Sequence, residues 1–138
     1  MENRAISISL AVSLAAYLAS KLLLKAHTIL QEATQSQLIA PLIDILHQSI
    51  TILPWLIGGA TAGYLCTYNP LKHGAITGAL YGAAFSTIGI MVLSGQTYET
   101  PDKISQLIYA AAFTAKSSFL FSLSSAFGFL TANQRRGL

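Results

Sequence analysis

Charge is absent from long stretches of this chain. Gln48–Leu71 and Gly74–Tyr98 contain no Asp, Glu, Lys or Arg; Ile104–Thr131 contains only Lys116; Ala5–Ser20 has none and continues through Lys21 to Leu24. About 20 consecutive, mostly apolar residues cross a bilayer as a helix, and each run reaches that length. The runs are far longer than strands, rich in Ala and Leu, and show no sustained alternation. Composition points the same way. The chain is 53% hydrophobic and 9% charged, against about 25% charged in an average soluble domain, and its mean hydropathy is +0.56. The expectation is a single all-α domain over residues 1–138: an integral membrane four-helix bundle, with spans at 5–25, 50–68, 71–95 and 104–131.

The segments between the runs set the connections. Residues 26–49 carry His27, Gln31, Glu32, Gln35, Gln37, Asp44, His47 and Gln48, yet Leu38, Ile39, Leu42, Ile43 and Leu46 recur at helical spacing. That pattern predicts an extra amphipathic helix over about 35–48, between spans one and two and lying on the outer surface, or else an outward extension of span two. Pro41 suits its first turn. Asn69 can cap a helix and Pro70 suits its first position, so spans two and three should form a tight antiparallel hairpin. In the polar loop S-G-Q-T-Y-E-T-P-D-K, Thr100 or Asp102 can start the fourth helix. Arg4 and the apolar run behind it imitate a secretory signal. The L-L-L continuation after Lys21, with no clear A-x-A, favours an uncleaved anchor.

Four spans put both termini and the 69–73 turn on one side. Arg4, Lys72, Arg135 and Arg136 lie there, whereas Glu32, Asp44, Glu99 and Asp102 lie on the other side with Lys21, Lys25 and Lys103. Basic residues favour the cytoplasmic side of short loops, so both termini are expected to be cytoplasmic. Trp55, Tyr98 and Tyr109 then fall toward the outer interface, and Tyr64 and Tyr68 toward the inner one.

Glycine costs a helix interior about 1 kcal/mol relative to alanine, yet Gly74, Gly78 and Gly82 stand four apart in one run, and Gly59 and Gly63 in another. Helices in lipid associate by close packing, and small residues collect where backbones approach. The hairpin turn suggests that the two glycine faces meet, Gly63 on Gly74 and Gly59 on Gly78, with Trp55 in the groove over Gly82. The stretch L-P-W-L-I-G-G-A-T-A-G-Y, followed by K-H-G-A-I-T-G-A-L-Y-G, resembles small prokaryotic four-span membrane proteins of uncharacterised function. Gly58, Gly59, Ala62, Gly63, His73, Gly74, Gly78 and Gly82 carry the resemblance, over about a quarter of the chain. It implies a four-helix bundle in a prokaryotic cytoplasmic (inner) membrane and no particular activity.

Chemistry has few footholds. Lys116 lies inside a span, where a charge costs at least about 2.5 kcal/mol. Thr114, Ser118, Ser122 and Ser125 follow helical spacing beside it. They form either a polar path or a set of hydroxyls bonded back to the helices, with Lys116 reaching to the interface. His27, His47 and His73 are scattered, and no metal or other cofactor is expected, since three or four ligands are usual. The lone cysteine, Cys66, reads as a small packing residue. No GxSxG, HExxH or phosphate loop is present, the acids are dispersed, and no basic patch suits nucleic acid. The reading is a non-enzymatic membrane interaction protein, an accessory subunit or small homo-oligomer, whose partners are the lipid bilayer and another membrane protein or a second copy. The alternative is a small channel or transporter subunit with a path at Lys116.

Overall fold

The computed structural model describes residues 2–34, 40–94 and 102–136. They form four helices, with no strand among the described residues: α1 (Glu2–Thr34), α2 (Ala40–Leu65), α3 (Pro70–Ser94) and α4 (Lys103–Arg136). Among the described residues, three of these are long and apolar enough to cross a membrane, over Asn3–Ala26, Pro70–Val92 and Lys103–Arg135. The remaining expected span falls on α2, part of whose length has its side chains outside the described residues.

The helices run up, down, up and down. α1 opposes α2: Ser9 Oγ donates to Gly58 O at 2.5 Å, and Ala5 and Leu65 share a cavity at one end. α4 runs with α2, because Gly59 sits against Phe121 and Gly63 against Ser125. α3 opposes α4, with Gly74 against Phe121 and Ser122 and Gly82 against Thr114. The start of α1, the 66–69 turn and the end of α4 therefore share one end of the bundle. α4 packs extensively on both α2 and α3, α1 packs mainly on α2, and α2 and α3 touch each other much less.

No separate amphipathic helix stands between α1 and α2 among the described residues. α1 runs on to Thr34 and α2 begins at Ala40, so 40–48 are the opening turns of α2. Pro41 is its second residue, where a missing N–H disturbs no helical bond. Residues 35–39, and the side chains up to Asp44, lie outside the described residues. Leu46 is 50% exposed and Gln48 is also exposed, so Leu46 is not sheltered within the bundle.

The connections follow local chemistry. α3 begins at Pro70, as the sequence suggests. Asn69 serves the turn by its backbone: its φ is 52°, in the left-handed region that Asn tolerates better than most residues. Its carbonyl accepts the His73 N–H at 3.2 Å, and His73 Nδ1 lies 3.1 Å from the same oxygen. A carbonyl only accepts, so the Nδ1-protonated tautomer makes that second bond. Asn69→Gly should leave stability unchanged or raise it. Asn69→Val should lower it by about 1–2 kcal/mol, the cost of a left-handed residue with a branched side chain, read by thermal unfolding in detergent. Asp102 caps α4: Ser105 N–H donates to its Oδ1 at 2.6 Å. That backbone bond, with a second from the Ser105 side chain, holds the Asp102 carboxyl below the usual carboxylate range.

The core is narrow. Trp55, Tyr81 and Phe121 form its buried centre, with Leu10, Ile52, Phe85, Phe113 and Leu120 around them. Tyr81 stacks on Phe85 at 4.3 Å between ring centroids, and Tyr17 meets Phe85 edge-on at 4.6 Å. Small polar side chains fill much of the remainder: Ser9, Ser13, Thr77, Ser117 and Ser125 are fully buried. The large apolar side chains point outward instead. Leu22, Met91, Ile104, Leu107 and Phe127 are each 67–72% exposed. A soluble monomer rarely shows so much contiguous apolar surface.

Candidate functional site

The glycines do not face one another. A Cβ added at Gly59 would meet Ser124 Oγ and lie 2.6 Å from Phe121 O; at Gly63 it would collide with Ser125 O. On α3, a Cβ at Gly74 would lie 2.5 Å from Phe121 O, at Gly78 2.5 Å from Ser117 O, and at Gly82 2.7 Å from Thr114 Cα. Both glycine faces therefore turn to α4, whose backbone lies against each of them. Gly128 of α4 answers in kind, since a Cβ there would meet Ala60 O. The seam expected directly between α2 and α3 is replaced by two seams that share one helix. Trp55 does not fill the groove over Gly82. It packs on Phe113 with ring centroids 5.9 Å apart. The aromatic ring seated on glycine is Phe121, whose Cε1 and Cζ would lie 2.8 and 2.9 Å from a Cβ at Gly58.

The hydroxyls of α4 take part in the same contacts. Ser125 Oγ donates to Pro70 O at 2.7 Å. Ser122 Oγ lies 2.8 Å from Ser118 O in its own helix and 3.2 Å from Leu71 O in α3. Ser124 Oγ is shared in the same way between Leu120 O at 2.8 Å and Trp55 O at 3.2 Å. A serine in an apolar helix commonly bonds to the carbonyl four residues back; here Ser122 and Ser124 do so and also reach a neighbouring helix. α1 repeats the arrangement, with Ser13 Oγ on Ser9 O at 2.7 Å and Ser9 Oγ on Gly58 O. Such interhelical bonds in membrane proteins average about 0.6 kcal/mol each. Their larger effect is on register, because a helix that slides by one residue loses them together.

Of the residues suggested for a polar path, Thr114, Ser118 and Ser122 are half-buried, Ser125 is buried, and Lys116 is exposed. Lys116 Nζ stands 4.9 Å from the centroid of the Trp55 ring, a cation held against an aromatic face. Ser122 and Ser125 bond to carbonyls of α3, while Lys116 lies on the outside. Ser117 and Ser124 belong to the same hydroxyl-rich stretch but fall off the stripe read from the spacing, and both are buried. The signal for Ser117 was the four-residue spacing 117, 121, 125, which carries the α3-facing side of α4, whereas Ser124 faces α2. Among the described residues, Ser117 Oγ and Trp55 Nε1 are the buried side-chain polar atoms without a hydrogen-bond partner.

Lys116→Leu should keep the fold, with a melting temperature unchanged or raised, since it removes a charge from an apolar run. Trp55 is the chain's single tryptophan, so its fluorescence should change when the cation leaves its face. A lowered melting temperature, or a variant already unfolded, would instead mean that Lys116 holds the helices together.

No known protein family matches the chain, and neither a curated protein nor a solved structure is similar to it.

Proposed function

We propose that this chain is an integral protein of a prokaryotic inner membrane, with both termini cytoplasmic, and that its role is to hold another membrane protein or a second copy of itself. Catalysis has no part in this reading. The cations support the placement. Arg4 and Lys25 are separated by 21 helical residues on α1. At 1.5 Å per residue this is roughly 32 Å, close to the ~30 Å hydrocarbon thickness.

The observation that carries the interaction reading lies at the start of α4. In its first two turns, directly after the charged residues Asp102 and Lys103, Ile104, Leu107 and Ile108 are 70, 71 and 64% exposed. Apolar side chains gathered at the polar end of a helix call for a cover, and a partner supplies one. The hydroxyls of Ser122, Ser124 and Ser125 are engaged with backbone carbonyls of neighbouring helices, which supports packing over a solute path.

A photo-activated cross-linking residue at Leu107, expressed in native membranes, tests this. A protein adduct at 107, beside a lipid adduct from the same probe at Phe127, is the expected result. Lipid adducts at both positions overturn the partner reading. Reporter fusions at the two ends test the orientation, and opposite sides for the termini would overturn it.

A further inference from the structure

One cavity lies at the end of the bundle where α1 begins, α2 ends and α3 begins. Its volume is about 360 Å³, and Arg4, Ala5, Ile8, Leu65, Cys66, Thr67 and His73 line it. The size lies within the range of small-ligand sites, which are mostly apolar with a few placed polar groups. The lining divides the same way. Ala5, Ile8 and Leu65 form an apolar wall, while Arg4, Thr67 and His73 supply polar groups. The two kinds are not equally accessible: His73 is 3% and Cys66 3% exposed, Ala5 is 5% exposed, and Arg4 stands at the mouth in contact with solvent. The seams of α4 with α2 and α3, and the Ser9–Gly58 contact of α1 with α2, do not involve the side chains that line this space.

We propose that this cavity binds one anionic phospholipid of the surrounding membrane, its phosphate on the Arg4 guanidinium and an acyl chain along Ile8 and Leu65. The inference rests on the membrane reading above and not on the partner reading. Three features of the site select that ligand. The fixed cation is an arginine, whose planar fork matches a phosphate with two parallel hydrogen bonds. The wall behind it is apolar, so an anion that carries a hydrocarbon chain fills the site and a bare anion leaves the wall wet. The cavity also opens where Arg4, exposed Lys72 and exposed Arg135 gather at one end of the bundle, a field that concentrates anionic lipid at that surface. A soluble phosphate ester shares the headgroup chemistry; the acyl wall distinguishes the two.

Cys66 makes the test possible without a reporter mutation. It is the chain's single cysteine, it lines the cavity, and its Sγ lies 3.2 Å from Gly63 O. The full chain is placed in nanodiscs of zwitterionic phosphatidylcholine, with or without phosphatidylglycerol, and the rate of Cys66 alkylation by uncharged N-ethylmaleimide is followed by mass. The expected result is a slowing of at least fivefold with phosphatidylglycerol, lost in Arg4→Gln in the same discs. The altered surface charge of the disc is common to both chains and cannot produce that difference. Native mass spectrometry should show one tightly retained phosphatidylglycerol on the wild type and none on Ile8→Trp, which fills the apolar wall from an exposed position. Equal alkylation rates in the two discs overturn the proposal, as does slowing that persists in Arg4→Gln. Equal protection by inorganic phosphate in phosphatidylcholine discs also overturns it, in favour of a soluble anion. A chain that fails to enter discs at all refutes the membrane reading itself.

Discussion

Gly63→Ala should cost this protein about 3 kcal/mol or more, while Gly89→Ala should be neutral or stabilising by up to about 1 kcal/mol. The change is the same single methyl group in both helices, and the propensity gain of alanine over glycine is the same. What differs is the neighbour. The Cβ at Gly63 would fall on Ser125 O, with Ser125 C 2.6 Å and Ser125 Cα 2.8 Å away. These are backbone atoms of α4 and cannot rotate aside, so α2 and α4 must separate along their length. Overpacking by one group commonly costs 1–3 kcal/mol when side chains can adjust; here a whole helix moves, and the Ser124 and Ser125 bonds to α2 and α3 go with it. At Gly89 nothing lies within 4 Å of the added atom. Unfolding of both variants by heat or by a denaturing detergent reads the difference. Equal stability of the two would mean that α4 does not lie on α2 at this level.

That contrast also marks what the sequence could and could not reveal. The four helices, the short turn ahead of Pro70 and the start of α4 after Asp102 follow from charge-free runs, helix-start residues and loop composition. The two glycine faces were legible as places of close approach, because nothing else offsets the propensity cost of five glycines. Their partner was not. A glycine groove states that a backbone comes near and leaves its identity open, and the short 66–69 turn made α2 and α3 the natural pair. The information lay in α4, in Ser117, Ser124 and Ser125. Hydroxyls at helical spacing in an apolar run suit a polar path and suit interhelical bonding equally well on periodicity alone. The exposed position of Lys116 against Trp55 and the bonds of Ser122, Ser124 and Ser125 to neighbouring helices support the second. The first helix outruns its span for a similar reason: Lys25 marks the end of the apolar run, yet the helical backbone continues to Thr34, since polarity ends a membrane span without ending a helix.

Phe121→Ala should destabilise the bundle by about 3–5 kcal/mol, the usual cost of emptying a fully buried phenylalanine site, whereas Phe119→Ala and Phe127→Ala should each change stability by less than about 0.5 kcal/mol. All three lie on α4 within nine residues, and their exposures are 0%, 62% and 70%. Phe121 is where the two seams join. Its ring lies over Gly58 and its carbonyl oxygen stands close to the Cβ positions of both Gly59 and Gly74, so one residue contacts α2 and α3 through ring and backbone together. Tyr81 adds a third contact at 5.5 Å between ring centroids. Truncation leaves a void bounded by glycines, which have no side chains to move into it, and relaxation is limited to sliding the helices. That sliding is opposed by the Ser124 and Ser125 bonds on either side. Phe121→Leu should recover part of the loss because it retains apolar volume beneath Gly58. Phe121→Trp should not, since the Cβ contacts at Gly58 already stand below 3 Å from the ring. A Phe121→Ala variant as stable as Phe127→Ala would place the core elsewhere and remove α4 from between the glycine faces.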